Sequence, residues 1–315
     1  MATDARFKPY AARLGLMLFT TVFSLLLLEV AVRVLLPETF RPGITAFKAQ
    51  AVATDPVLGW RVKPNADVTV NGVRYSFSAI GSRDSFTTPA PSTIVVAGDS
   101  MTMGWGVANE AAYPARLASL LSRPVVNGGV IGYGVEQDVA RLKELVAATS
   151  ARTAVVGYFP NDPEGVESAP REQGQSWSRL WQLVKPLIAR AFSSGARPQS
   201  MTEHHRALHA PGSVTWNRVV TAFADLAAFC RERHITCGVV LLPELTTRPY
   251  PLADVHERVA AVARTQGLAV LDVAASVADV EPKKLWVAWD DSHPNAEGHR
   301  RFAEAIAPWL RGLIQ

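Results

Sequence analysis

The sequence predicts an α/β protein, a doubly wound parallel sheet of about five strands, preceded by an N-terminal transmembrane helix. Three observations point there. Short apolar runs alternate with helical patterns from about residue 92 onward. Those runs are apolar at successive positions, as strands buried on both faces must be. The first uncharged stretch, Leu14 to Leu28, is 15 residues long and follows a basic flank. Alternation of β and α along a chain implies a parallel sheet with helices on both faces.

The N-terminal elements come first. At 1.5 Å per residue the uncharged stretch spans about 22 Å, short of a hydrocarbon core of about 30 Å. Continuing it through Glu29 and Arg33 to Leu36 supplies the length, and Pro37 ends it. Glu29 and Arg33 are four apart, share a helix face and can pair near the membrane interface. The expected segments are a cytoplasmic N-terminus over 1–13 and an anchor over 14–36. Arg6, Lys8 and Arg13 precede the run, so the positive-inside rule puts the N-terminus in the cytoplasm and the rest outside. That placement is single-pass in the inner (cell) membrane with the main domain periplasmic. A cleaved secretory signal and a buried soluble helix are the alternatives, although no small-x-small cleavage site follows the run.

Residues 38–91 read as a β-rich lead-in, because 68–81 alternates and carries Asn71-Gly72, a favoured hairpin pair. Residues 92–315 form the main domain. Its strands are expected at Thr93–Ala97, Pro124–Val126, Thr153–Tyr158, Thr236–Leu242 and Leu268–Asp272. Its helices are expected near 112–122, 135–149, 216–234, 252–266 and 295–312. The stretch 163–215 is too long for an ordinary connection and reads as a lid-like insertion. Within it, 176–192 is amphipathic with Trp177 and Trp181 on one face, which suits a helix over the domain, a lid or a membrane-facing helix.

Composition narrows the function classes. The 315 residues are 48% hydrophobic with a formal charge of +4, so the chain folds around a core and is not a mostly disordered one. Five basic and three acidic side chains fall in residues 1–41, and no clustered basic face remains to suggest nucleic acid. Two cysteines rule out a disulfide framework and a Cys-rich zinc module. Cys230 and Cys237 flank a helix-to-strand turn; two separate buried thiols are the default, and pairing outside the cytoplasm is the alternative. His204, His205 and His209 come without a matching carboxylate or cysteine set, so a solvated loop is expected rather than a metal site. No metal and no cofactor is implied. His299, in the last helix, reads as structural.

Chemistry is expected after the strands, where α/β sheets bind ligands. The first strand ends in Gly98-Asp99-Ser100, which puts a serine hydroxyl at a strand-to-helix turn. The second leads into the glycine-rich stretch Asn127 to Gly134. The third leads into Pro160-Asn161-Asp162. Asp290-Asp291-Ser292-His293-Pro294-Asn295 precedes the last helix. Ser100 alone could be a helix N-cap, as could Asp99. Asn127 reads as support for the glycine loop and Asp162 as an organiser of its own loop.

These four blocks, in this order over about residues 93–312, resemble the SGNH/GDSL hydrolase superfamily. The lead-in phrase Asp55 to Asn65 and Gly98 to Val107 resemble a membrane-anchored bacterial subgroup. The resemblance implies a flavodoxin-like sheet of the SGNH-hydrolase fold and a serine esterase cleaving O-acyl or O-acetyl esters, on an acylated glycan or lipid. It implies Ser100 as nucleophile, His293 as base and Asp290, three residues before it, as the acid, with Asp291 the rival. Its oxyanion donors fall on the Ser100 and Gly132 N–H groups and the Asn161 amide. Met101 replaces the usual leucine. Phe159 stands where the family's G-x-N-D block has glycine, with its ring expected in the core beside Tyr158. A periplasmic O-acyltransferase and an inactive glycan-binding or scaffold domain are the other readings.

Overall fold

The computed structural model describes residues 8–35, 43–83, 90–165, 178–181, 184, 188 and 200–314. These fall into two compact units. One holds the N-terminal helix with residues 178–181, 184 and 188, and the other holds the remaining described residues.

The N-terminal helix α1 (Lys8–Leu35) contains a 23-residue stretch, Arg13–Leu35, long and apolar enough to cross a membrane. Its leucines are open to the surroundings, among them Leu14, Leu18 and Leu27. An apolar helix left uncovered in this way can be a membrane span or a signal sequence. The Arg33 guanidinium donates from Nε to the Glu29 carboxylate at 2.7 Å, the pair expected from their spacing.

The second unit is built on five parallel strands in the order β6-β5-β7-β8-β9: β5 (Ile94–Gly98), β6 (Val125–Asn127), β7 (Thr153–Tyr158), β8 (Thr236–Leu241) and β9 (Ala269–Asp272). In chain order that is 2-1-3-4-5, the flavodoxin-like arrangement. All five expected strands and the five expected helices are present. Side chains alternate across the sheet. Val95, Ala97, Val156, Tyr158 and Val239 pack on one face against α5 (Val135–Thr149), the helix Val214–Arg233 and the helix Ala253–Thr265. Ile94, Val96, Val155 and Val240 pack on the other against α4 (Tyr113–Leu121) and the C-terminal helix Ala296–Leu313. Both faces are therefore buried, which is why the strands read as continuous apolar runs.

The lead-in differs from a purely β-rich segment. It opens with α2 (Ile44–Ala51) and continues as two hairpins, β1 (Val52–Asp55) with β2 (Gly59–Val62), and β3 (Asp67–Val70) with β4 (Val73–Ser76). Asn71 and Gly72 turn the second with φ of 51° and 77°, the two positive angles that a tight hairpin needs. The lead-in shares a core with the main domain: Phe47, Leu58, Val62 and Tyr75 pack with Met103, Trp105, Ile131 and Tyr133.

Two expectations are corrected here. Cys230 and Cys237 are not separate thiols; they form a disulfide across the helix-to-strand turn, with Cα atoms 6.2 Å apart, inside the usual range for such a bond. The 204–209 histidines are not in a solvated loop. They lie on or just after the helix Met201–Leu208, where His205 and His209 are buried. His205 Nδ1 meets Glu244 Oε2 at 2.9 Å and His209 Nε2 meets the Tyr158 hydroxyl at 2.6 Å. Of the proposed lid-like insertion, residues 166–177 and most of 182–199 lie outside the described residues, as does most of the amphipathic stretch 176–192.

Candidate active site

The site is assembled at the carboxyl ends of β5, β6 and β7 by short turns with little freedom. Gly98 ends β5 where a Cβ would lie 2.2 Å from Thr102 Oγ1 and 2.7 Å from the Gly157 carbonyl, so only glycine lets the chain turn so tightly. Asp99 caps the short helix α3 (Ser100–Met103): its Oδ1 accepts the Met101 N–H at 2.8 Å. Asp99 is wholly buried, and burial pushes its carboxyl up to about 6 despite that bond and the proximity of His293. Ser100 is the first residue of α3, and its backbone N–H is one of those a helix start leaves without an intrahelical acceptor.

Ser100 Oγ lies 2.9 Å from His293 Nε2, across 193 positions of sequence. On the other side of the ring, His293 Nδ1 lies 2.5 Å from Asp291 Oδ1. Asp290 is not the partner, which corrects the assignment the resemblance implies. Residues 286–294 form an antiparallel hairpin, β10 (Trp286–Ala288) with β11 (Asp291–Pro294), and Trp289 and Asp290 make its turn. Along a strand, residues two apart share a face. Asp291 and His293 therefore point the same way, while Asp290 stands exposed in the turn.

Asp291 is held from two further directions. The Trp105 indole N–H donates to its Oδ2 at 3.0 Å, and the His293 backbone N–H donates to its Oδ1 at 3.1 Å. Burial would raise this carboxyl, but the hydrogen bonds from His293 and Trp105 outweigh it and the net shift is downward. Trp105 itself is buried between Tyr75, stacked at 5.4 Å, and Phe47, edge-on at 5.8 Å. Arg83, also buried, ties down the loop that carries it. Its Nη1 donates to the Met103 and Gly104 carbonyls, its Nη2 to Val107 at 2.6 Å, and its Nε to Asn109 Oδ1 at 2.7 Å. The lead-in thus supplies Phe47, Tyr75 and Arg83 to the support of the Asp291 side of the site. None of these, nor Trp105, was singled out from sequence, since each acts through a partner that only the fold brings near.

Gly132 and Asn161 lie on the loops after β6 and β7, the two strands beside β5. The Tyr133 N–H bonds to the Val130 carbonyl at 3.2 Å, closing a turn whose third residue is Gly132 at φ 78°, a position that favours glycine. The loop is pinned to β5 by Val130 N–H on the Gly98 carbonyl at 2.9 Å, and Asn127 Oδ1 accepts the Gly129 N–H at 3.1 Å. Trp60 completes the cradle: its indole N–H donates to the Ile131 carbonyl at 3.2 Å, and its own carbonyl accepts the Tyr133 hydroxyl at 2.6 Å.

Asn161 is half-buried, and its Oδ1 has no partner among the described residues. Asp162, buried, organises the loop, with Oδ2 accepting the Phe159 N–H at 2.8 Å. The Phe159 ring does enter the core, but on the opposite face of the sheet from Tyr158, where it meets His205 edge-on at 6.0 Å. Phe159 directly follows β7, and the alternation of the strand carries over to it, which turns its ring away from Tyr158. His299 is fully buried. Its Nδ1 accepts the Tyr113 N–H at 3.3 Å, and burial holds its pKa down at about 3.

A serine hydroxyl on a histidine, itself on a carboxylate, is an arrangement built for acyl transfer. The sequence profile of the GDSL-like lipase/acylhydrolase family matches residues 96–301, which contain every residue of this constellation. The chain belongs to this family. Among solved structures, the GDSL enzyme is similar in fold to TesA, with 19% identity, a TM-score of 0.45, and 70% of this chain and 99% of that chain covered. It is also similar to the acetylxylan esterase Axe2 from Geobacillus stearothermophilus, at 18% identity and TM-score 0.42 over 72% of this chain and 96% of that one. The esterase EstA from Pseudoalteromonas sp. gives 12% identity and TM-score 0.42 over 70% and 99%. A search of curated proteins finds no match. By its family match the chain is a serine ester hydrolase of the SGNH/GDSL type.

Proposed function

We propose that the protein is a membrane-anchored esterase that cleaves O-acyl esters, O-acetyl groups included, from a glycan or lipid outside the cytoplasm. The observation that carries the chemistry is the continuous Ser100–His293–Asp291 chain of hydrogen bonds. His293 Nε2 takes the hydroxyl proton as Ser100 Oγ attacks the ester carbonyl. Asp291 keeps the other ring proton on Nδ1 and stabilises the imidazolium that forms. The tetrahedral oxyanion is received by the Ser100 and Gly132 N–H groups and the Asn161 amide. His293 then protonates the leaving alcohol, and water, activated by the same histidine, releases the acyl group.

Two observations support the location. The basic flank before the apolar helix favours an N-in anchor, and the Cys230–Cys237 disulfide suits an oxidising compartment. A glycan substrate is supported by Trp289, 70% exposed at the tip of the hairpin that carries His293, where its ring offers a flat apolar face to a sugar. Hydrolysis of p-nitrophenyl acetate and of O-acetylated oligosaccharides tests the reading. Both activities are expected to vanish in Ser100→Ala and His293→Ala, and Trp289→Ala is expected to raise KM for the oligosaccharide alone. Full activity in a folded Ser100→Ala protein would overturn it.

A further inference from the structure

Glu29 sits in the last third of the apolar helix, where an ionised carboxylate is costly unless fully hydrogen-bonded. It is fully bonded. Oε1 accepts from Arg33 Nε at 2.7 Å and from the Arg179 backbone N–H at 2.9 Å; Oε2 accepts from the Ser178 hydroxyl at 3.0 Å and the Leu180 N–H at 2.9 Å. Two donors per oxygen fill the acceptor sites of a carboxylate. Arg33 balances the charge.

The same bonds solve a second problem. Residues 179–181 begin a helical stretch, and the first N–H groups of a helix have no intrahelical partners. Glu29 takes those of Arg179 and Leu180, and Ser178 Oγ takes that of Trp181 at 3.1 Å. A helix start in water has solvent to pair these groups and does not require a carboxylate 150 and 151 positions away. A helix start in lipid does, because no solvent is there to pair the backbone.

The packing has a direction. Val22, Leu25 and Leu26 line one crevice of about 500 Å³ with Leu180, Trp181 and Val184. Those anchor residues precede Glu29, so the stretch runs back along the apolar part of the anchor instead of leaving from its end. Trp181 is 48% exposed and Ile188 39%, continuing the uncovered apolar surface of Leu25 and Leu26.

We infer that residues 178–181, with Val184 and Ile188, belong to a second membrane-contacting element, capped by Glu29, whose Trp181 and Ile188 are covered by bilayer acyl chains. This rests on the reading of α1 as a membrane anchor. The protein would then grip the bilayer by a span and by the apolar side chains of this adjoining element.

The test is depth quenching in the full-length protein. A thiol-reactive NBD dye is placed at Ile188→Cys, at Met17→Cys in the anchor, and at Val57→Cys on the exposed surface of the hydrolase unit, in vesicles of phosphatidylcholine and phosphatidylglycerol with or without doxyl-labelled lipid. Quenching at 188 is expected to come within about twofold of that at 17, with none at 57. Glu29→Ala is expected to lower quenching at 188 towards that at 57, leaving 17 and p-nitrophenyl acetate hydrolysis unchanged. Quenching at 17 but not at 188 overturns the inference, while absence at 17 overturns the anchor reading itself. Unchanged quenching at 188 in Glu29→Ala overturns the capping role.

Discussion

Exchanging Asp291 and Asp290 for asparagine, one at a time, separates two adjacent and chemically identical side chains by position alone. At Asp291 both oxygens are engaged, Oδ1 by His293 and Oδ2 by the Trp105 indole N–H. An asparagine there has one acceptor. Trp105 can only donate, so it claims the amide oxygen and leaves the NH₂ group facing His293 Nδ1. The imidazole must then carry its proton on Nε2, the nitrogen 2.9 Å from Ser100 Oγ, and can no longer accept the hydroxyl proton. Loss of the correct tautomer in such a triad lowers kcat by about 10⁴, or about 5 kcal/mol of transition-state stabilisation. Asp290 is exposed in the hairpin turn, and Asp290→Asn is expected to change kcat/KM by less than about threefold. The assay is steady-state hydrolysis of p-nitrophenyl acetate, with circular dichroism to confirm folding. A severe Asp290→Asn beside a mild Asp291→Asn would make Asp290, not Asp291, the acid that serves His293.

Other outcomes follow from the same geometry. Trp105→Phe keeps the ring but removes the donor to Asp291, and kcat/KM is expected to fall by about tenfold, the effect of one hydrogen bond to a charged group. Asn161→Ala is expected to lower kcat by about 10²–10³ with little change in KM, the signature of a lost oxyanion donor; a kcat within threefold of wild type would remove Asn161 from the hole. His299, neutral in the fold down to about pH 3, is protonated below about 6.5 once unfolded, so stability is lost as pH falls through that window. At pH 4.5 the loss is about 2–3 kcal/mol, and His299→Gln is expected to shrink the difference in urea midpoint between pH 7 and pH 4.5; Asp99, raised by burial, acts with the opposite sign and is common to both proteins. Replacing Cys230 and Cys237 by serine opens a short loop and is expected to cost about 2 kcal/mol in denaturant unfolding.

The sheet was legible because its strands are buried on both faces and so carry unbroken apolar runs such as 94–97 and 153–158. The Asn71-Gly72 turn was legible because few residue pairs tolerate two positive φ angles. Ser100 and His293 were legible from their blocks. The acid was not, because choosing between Asp290 and Asp291 needs the phase of β11, and Trp-Val-Ala-Trp-Asp-Asp lacks both the alternation and the Gly or Asn that would announce a hairpin. Trp105 and Arg83 were hidden for a different reason. Their roles are set by Asp291 at 186 positions' distance and by the carbonyls of the 103–107 loop, relations that local pattern does not encode. The buried His205 likewise depends on Glu244, contributed from the loop after β8.

We propose Ser100 as a nucleophile activated by His293. The direct measurement is covalent labelling by a fluorophosphonate, followed by mass spectrometry of the peptide that carries the adduct. One phosphonyl group is expected on Ser100, with labelling slowed by orders of magnitude in His293→Ala and Asp291→Asn and close to normal in Asp290→Asn. A folded wild-type protein that stays unlabelled, or an adduct on any residue other than Ser100, would contradict it.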